Sequence, residues 1–333
     1  MSKTIAIVGT TGNQGSSVAH TFLKSPSWSV RALTRNPSSP SAQKLVGLGA
    51  EVVQADLSDI NSLAAAFNGA HAIFVNTDFW GPYVSGSPSG AGTHSSDDAF
   101  NDEVTHGKNA AIAASRIPTL ERFVYSALGP IKRASAGKYT QSYHWDSKAS
   151  IVDYIESEQV ELAKKTSYIY LGAYATNPLF MPRLDPSSGV YQFVLPFQGG
   201  TKIPVIDAAG STGSFVRELI ESEAPGTKLL AYDSYLSINE LVDVWAKATG
   251  EKAELVSVSV EYLNSELGIP WEVLEAPRFI EEVGYMGGIE GWVGPRGLRE
   301  EVKTRSFEGW LRERDWKGDL ERGEVELGSV KNK

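Results

Sequence analysis

The stretch IAIVGTTGNQGSSVAHTFL, residues 5–23, decides how the chain is read. The apolar run IAIV leads directly into Gly9, Gly12 and Gly15, after which apolar residues fall at helical spacing. A strand, a glycine turn and a helix in that order give each glycine a mechanical use. One makes the tight turn, one lets backbone approach a pyrophosphate, and one lets helix pack on strand. The helix N-terminus offers free N–H groups and the positive end of its dipole to the phosphate. Gly9, Thr11, Gly12, Asn13, Gln14 and Gly15 are therefore candidate dinucleotide contacts. The alternative, an empty strand-to-helix turn, is weakened by the repetition of βα units along the chain.

Five further runs repeat the strand signal at βα spacing: WSVRALT (28–34), EVVQAD (51–56), HAIFVN (71–76), RFVYSA (122–127) and TSYIYL (166–171). Helical segments begin near Gly12, Ser39, Ile60, Asp97 and Tyr143. This rhythm predicts an α/β fold, a Rossmann-type doubly wound parallel sheet over residues 1–171 that binds NAD(P). From residue 172 the rhythm breaks into short strands (VYQFVL, KIPVID, KLLAYD, AELVSVS) and helices near 211–222, 237–249, 259–267, 271–284 and 306–314. The expectation is a smaller C-terminal α+β substrate region, residues 172–333, packed on the first and sharing its sheet. Residues 79–99, rich in Gly, Ser and Pro, read as a long loop without periodicity at the ligand-binding edge, with the properties of a lid. The polar segment GPIKRASAGKYTQ (129–141) comes after the fifth run on the same edge, and the last dozen residues read as frayed.

Composition narrows the function classes. There is no cysteine among the 333 residues, which excludes disulfides, thiolate catalysis and Cys-based metal sites. The five histidines are scattered, no H-E-x-x-H or paired-carboxylate cluster occurs, and no G-x-S-x-G elbow is present, so no metal is expected. A net charge of -9 disfavours direct nucleic-acid binding, which depends on basic residues displacing phosphate counterions. No apolar run reaches the length of a membrane span, and the opening MSKTIAIVGTTG enters a strand within three residues. The expectation is a cytoplasmic chain without a targeting segment or membrane contact.

Cofactor choice is made about twenty residues beyond the glycine turn, at the end of the second strand. Thr34 and Arg35 stand there in place of the carboxylate that an NAD site uses. The planar donor fork of an arginine suits a 2′-phosphate, so NADP(H) is the expected cofactor, with NAD(H) a weaker ligand. A solvated surface arginine is the alternative. Asp56 and Leu57, after the third strand, are placed to meet the adenine, although Asp56 would equally cap the next helix. Asn76, which ends the fourth run, and Thr77, which follows it, are further cofactor candidates.

The segment SYHWDSK, residues 142–148, carries the candidate chemistry. A reductase that pairs tyrosine with lysine on one helix face needs them four residues apart, and here the residue four before Lys148 is His144. Tyr143 is five residues back, roughly 140° around the helix. Imidazole is the side chain suited to proton transfer in water, so His144 is a candidate proton donor, with capping or packing at the helix start as the alternative. Ser126, closing the fifth strand, is a candidate polarising hydroxyl or a strand-end group satisfying backbone. Tyr143, Tyr125 and Tyr174 are the remaining donors.

Taken together, GTTGNQGSSVA, VRALTRNPSSPSAQKLVGLGAEVVQADLSD, GAHAIFVNTDFW, HGKNAAIAA, HWDSKASIVDYI and SFEGWLRERDW resemble the NmrA-like family of atypical short-chain dehydrogenases over nearly the whole chain. The resemblance implies a Rossmann-like NAD(P)-binding domain with a small C-terminal region. It also implies that the tyrosine is commonly lost while Lys148 stays to contact the nicotinamide ribose, and that Ala173 and Tyr174 in GAYATNP wall the nicotinamide. The 79–99 segment and the polar Asn76 depart from the family pattern, both near the expected substrate site. Family members are either oxidoreductases, many in natural-product pathways, or redox-sensing regulators. The expectation is an NADP(H)-dependent oxidoreductase that reduces a C=O, C=N or conjugated C=C bond of a small, secondary-metabolite type of substrate. The alternative is a non-catalytic dinucleotide sensor working through a protein partner.

Overall fold

The computed structural model describes residues 2–85, 96–316 and 318. The six predicted runs form β1 (Lys3–Ile7), β2 (Trp28–Thr34), β3 (Glu51–Gln54), β4 (Ala72–Val75), β5 (Arg122–Ala127) and β6 (Thr166–Leu171). The crossovers carry α1 (Asn13–Leu23), α2 (Pro40–Gly47), α3 (Ile60–Phe67), then α4 (Trp80–Ser85) and α5 (Ser96–Ser115) after β4. After β5 come α6 (Ile131–Ala134), α7 (Tyr143–Glu158) and α8 (Val160–Ala163). Beyond β6 the chain forms β7 (Ala173–Tyr174), β8 (Arg183–Asp185), β9 (Val190–Leu195), β10 (Lys202–Ile206), α9 (Ala208–Glu221) and β11 (Lys228–Ala231). It continues through β12 (Ser234–Ser237), α10 (Ile238–Thr249), β13 (Ala253–Ser257), α11 (Val260–Leu267), α12 (Trp271–Val283), β14 (Trp292–Val293) and α13 (Phe307–Arg312).

Eight strands make one parallel sheet in the order β14-β11-β6-β5-β4-β1-β2-β3. The chain starts in the middle, winds outward through β2 and β3, and returns to continue on the other side of β1 from β4. The reversal between β1 and β4 opens a crevice at the carboxyl ends of these strands, where doubly wound sheets bind ligands. Strands buried on both faces must be apolar at successive positions, and the core divides accordingly. Ile5, Ile7, Phe74, Val124 and Ile169 pack with Val18 and Phe22 of α1 and Phe215 and Leu219 of α9. Ala6, Ile73, Val75, Tyr125 and Tyr168 pack on the opposite face with Leu63 and Phe67 of α3, Ala110 and Ala114 of α5, and Ile151 and Ile155 of α7.

The C-terminal residues extend this sheet through β11 and β14 and build two small ones, β12-β10-β7 and β13-β9-β8. The very short strands β7, β8 and β14 give no periodic signal in sequence, because two or three residues hold at most one alternation. One expectation is corrected. The 79–99 segment is not a continuous loop, since Trp80–Ser85 is helical and α5 begins at Ser96. Phe79, Trp80 and Tyr83 pack on one another there, with ring centroids 5.4–5.6 Å apart, which gives α4 an aromatic anchor that composition conceals. Residues 86–95, the rest of the expected lid, and the expected C-terminal fraying at 319–333 lie outside the described residues. No helix among the described residues is long and apolar enough to cross a membrane.

Candidate active site

The glycine turn lies at the carboxyl end of β1. Gly9 has a φ of +75°, a left-handed conformation that side chains disfavour. A Cβ at Gly15 would collide with the Gly9 carbonyl, so only glycine lets α1 start this close to the strand. Thr10 Oγ1 donates to the Leu33 carbonyl at 2.9 Å and ties the turn to the end of β2. Gly12 is the N-cap of α1 and no side chain caps it, which leaves first-turn N–H groups free for an anion. Gln14 is buried in that turn. Its Nε2 donates to the Tyr174 hydroxyl at 2.7 Å, and its Oε1 has no hydrogen-bond partner among the described residues. Thus Gln14 and Tyr174, 160 residues apart, meet at the mouth of the turn, with Ala173 beside Tyr174 in β7.

Arg35 is exposed just past β2, and among the described residues it forms no ion pair within 4 Å. Asp56 lies close enough for the guanidinium charge to help hold its carboxyl below the usual range, behind the larger effect of the Ser58 backbone N–H. Asp56 does not cap α3. Asp59 does, accepting from the Asn61 N–H, while Asp56 Oδ1 takes the N–H and hydroxyl of Ser58 at 2.8 Å each. The Leu57 carbonyl accepts from Asn109 Nδ2 of α5 at 2.9 Å. An uncapped helix start, a cradle that a Cβ would fill, an orphaned Gln14 acceptor and an unpaired arginine fit a phosphorylated dinucleotide.

The lysine is at the centre of a buried network. Lys148 Nζ lies 2.9 Å from Glu103 Oε1, 3.0 Å from the Thr77 carbonyl and from Thr77 Oγ1, and 3.4 Å from Asn76 Oδ1. Thr77 Oγ1 also donates to Glu103 Oε1 at 2.7 Å and lies 3.1 Å from the Tyr125 hydroxyl, while Ser147 Oγ donates to Glu103 Oε2. Glu103 is fully buried, and Lys148 is 9% exposed. Burial, reinforced by Glu103, raises the Tyr125 phenol well above its ordinary range, which keeps it protonated.

His144 begins one turn earlier on α7 but looks elsewhere. Glu272 Oε1, from the first turn of α12, accepts from both the His144 backbone N–H at 2.8 Å and His144 Nδ1 at 2.6 Å. The imidazole also packs against Trp80 and Phe79, with ring centroids 4.9 and 5.9 Å away. Glu272 Oε2 is buried without a hydrogen-bond partner among the described residues. Nearby Asp146 accepts from the Lys132 N–H at 3.1 Å, and burial pushes its carboxyl up to about 6. Tyr143 instead faces Phe100 of α5, centroids 6.1 Å apart.

The structure therefore brings Lys148 to Asn76 and Thr77, and Gln14 to Tyr174, but gives His144 and Lys148 separate partners. Ser126 is buried, and strand alternation sets it with Val124 on the α1/α9 face, opposite Tyr125 and the lysine network. Sequence reading misses both carboxylates. Spacing could have found them: Glu103 shares a helix stripe with Gly107, Ala110 and Ala114, and Glu272 with Ala276 and Phe279, all buried. No group of three or more His, Asp or Glu that could hold a metal exists among the described residues.

Known proteins agree with this architecture. The NmrA-like oxidoreductase hkm9 of Aspergillus hancockii is 30% identical over 282 residues, covering 80% of this chain and 78% of its own. The structure of NmrA, a negative transcriptional regulator, in complex with NADP superposes with a TM-score of 0.70 at 20% identity, covering 98% of both chains. The leucoanthocyanidin reductase–NADPH complex of Vitis vinifera gives 0.66 at 19% identity, covering 92% of this chain and 98% of that one. The NmrA-like family model matches residues 1–311, and the chain belongs to the NmrA-like family.

Proposed function

We propose that the chain is an NADP(H)-dependent oxidoreductase that reduces a C=O, C=N or conjugated C=C bond of a small substrate, of the secondary-metabolite type. One observation carries this reading. His144 and Lys148, a turn apart on α7, are each fixed by a buried carboxylate from a different helix, Glu272 and Glu103. A reacting pair needs such fixed geometry, whereas a surface that only binds does not.

In this reading residues 1–171 hold the dinucleotide and residues 172–333 complete the substrate side. The glycine turn from Gly9 to Gly15 and the start of α1 take the pyrophosphate, Arg35 the 2′-phosphate, and Asp56 and Leu57 the adenine end. Asn76, Thr77 and Lys148 hold the nicotinamide ribose, and Ala173 and Tyr174 wall the ring. When bound, the nicotinamide supplies a hydride to the substrate. His144 has Nδ1 engaged by Glu272, so Nε2 is the nitrogen left to carry a proton toward the substrate atom that gains negative charge. The Glu272 carboxylate fixes the orientation of the ring and balances the positive charge it carries when doubly protonated. Phe79, Trp80 and Tyr83 give the substrate an apolar, aromatic wall beside that nitrogen.

The second reading is a non-catalytic sensor acting through a protein partner, and the likeness to NmrA, a negative transcriptional regulator solved with NADP, supports it. NADPH oxidation measured with carbonyl, cyclic imine and enone substrates separates the two. The oxidoreductase consumes NADPH with one class, and the sensor with none.

A further inference from the structure

We infer that Glu103 is the positioning residue of the site: its buried carboxylate fixes the Lys148 ammonium at the carboxyl end of β4, making the lysine a stationary hydrogen-bond donor and not the source of the proton. The inference rests on the proposed dinucleotide role of Lys148.

The contacts of the two groups lead to it. Glu103 Oε1 faces Lys148 Nζ at 2.9 Å and accepts from Thr77 Oγ1 at 2.7 Å, while Oε2 accepts from Ser147 Oγ, so both oxygens are satisfied. The ammonium has three protons and four acceptors within reach: Glu103, the Thr77 carbonyl, Thr77 Oγ1 and Asn76 Oδ1. The Asn76 contact is the longest at 3.4 Å, and Asn76 is only partly buried. A ribose hydroxyl can replace that contact while Glu103 and Thr77 keep the nitrogen in place.

A buried ion pair is often no more stabilising than apolar residues of the same volume, because desolvation offsets the attraction. What it provides is a charge at one location. Here that location is the residue pair directly after β4, beside the reversal of strand order between β1 and β4 where the ligand crevice opens. Among the described residues, the titratable groups facing Lys148 are Glu103 from α5 and Tyr125 from β5, whose ring centroid is 6.0 Å from Nζ and whose phenol stays neutral. Glu103 is thus the counter-charge of the buried ammonium.

The test is a binding cycle on the full chain, with NADPH as the probe. Dissociation constants are measured by fluorescence titration for wild type, Glu103→Gln, Lys148→Met and the double variant. Glu103→Gln should weaken NADPH on the order of ten-fold, and less than about two-fold when Lys148 is already methionine. Ser147→Ala, which removes one hydroxyl donor, gives a milder version should Glu103→Gln not fold. It should weaken binding a few-fold in wild type and not in the Lys148→Met background. Equal effects in both backgrounds would make Glu103 merely structural, and unchanged affinity would remove its role. The cycle reads binding alone, so its result for Glu103 stands apart from whether any substrate is turned over.

Discussion

Replacing Glu272 by alanine, and separately by glutamine, separates the two contributions it makes to His144. Oε1 accepts from the backbone N–H and from Nδ1, and the two side chains are 2% and 14% exposed, so solvent cannot substitute for the lost acceptor. Leaving these two buried donors without their acceptor costs roughly 3–5 kcal/mol together, at about 1–3 kcal/mol each. Glutamine keeps an acceptor oxygen in place and loses only the charge, which reduces two charge-assisted bonds to neutral ones at roughly 1–2 kcal/mol. At about 2 °C per kcal/mol for a chain of this length, Glu272→Ala should lower the melting temperature by about 6–10 °C and Glu272→Gln by about 2–4 °C. Circular dichroism melts measure both. Glu272→Gln should also slow turnover while leaving NADPH affinity intact, because the glutamate touches the proposed proton donor and none of the proposed cofactor contacts. A Glu272→Ala variant that melts with the wild type, or a glutamine variant that loses binding and turnover together, would refute the assignment.

The same geometry fixes three further outcomes. Arg35→Ala should weaken NADP by roughly 10- to 100-fold and NAD hardly at all, as charge-assisted bonds of about 1.5–3 kcal/mol to the 2′-phosphate are lost; equal losses by titration would show the arginine to be a solvated surface group. Gly15→Ala should abolish dinucleotide binding and lower stability, since its Cβ would meet the backbone of Gly9 and lie 2.8 Å from the Thr10 nitrogen, none of which can swing away; normal NADP titration would show the turn to be looser than this. Asp146 has its carboxyl raised from 3.8 to about 6 by burial, so the folded state holds the proton more tightly than the unfolded chain, and stability should fall as pH rises from about 4 through about 6. Asp146→Asn should remove that slope in denaturant titrations across this range, and a slope unchanged in the variant would assign it to another group.

The sheet was legible because its central strands, buried on both faces, are largely apolar at successive positions, and each of the six runs is punctuated by glycine or polar residues at βα spacing. The glycine turn was legible for a related reason: Gly9 and Gly15 are sterically required, so the geometry is written in residue type. Lys148 was found by its place in SYHWDSK, but its partners were not. Glu103 lies in SSDDAFNDEVTHGKNAAIAA, where acidic residues look solvated, and only its alignment with Gly107 and Ala110 on one helix stripe betrays burial. Glu272 reaches His144 across 128 residues, a contact made by α12 docking on α7, which no local pattern encodes. Ser126 illustrates the converse. Its strand was evident, yet the face it shows depends on which helices cover each side of the sheet.

Whether His144 and Lys148 act as a catalytic pair is tested most directly by steady-state NADPH oxidation in wild type, Lys148→Met and His144→Phe, with NADPH affinity measured alongside. The prediction is that wild type turns over an imine, enone or carbonyl substrate, that Lys148→Met abolishes turnover and weakens NADPH moderately, and that His144→Phe lowers turnover with binding nearly intact, as for a group that acts mainly in the transition state. No NADPH consumption above background by the wild type with any of these substrates, together with tight NADP binding that Lys148→Met still weakens, would contradict it and leave the chain a dinucleotide sensor.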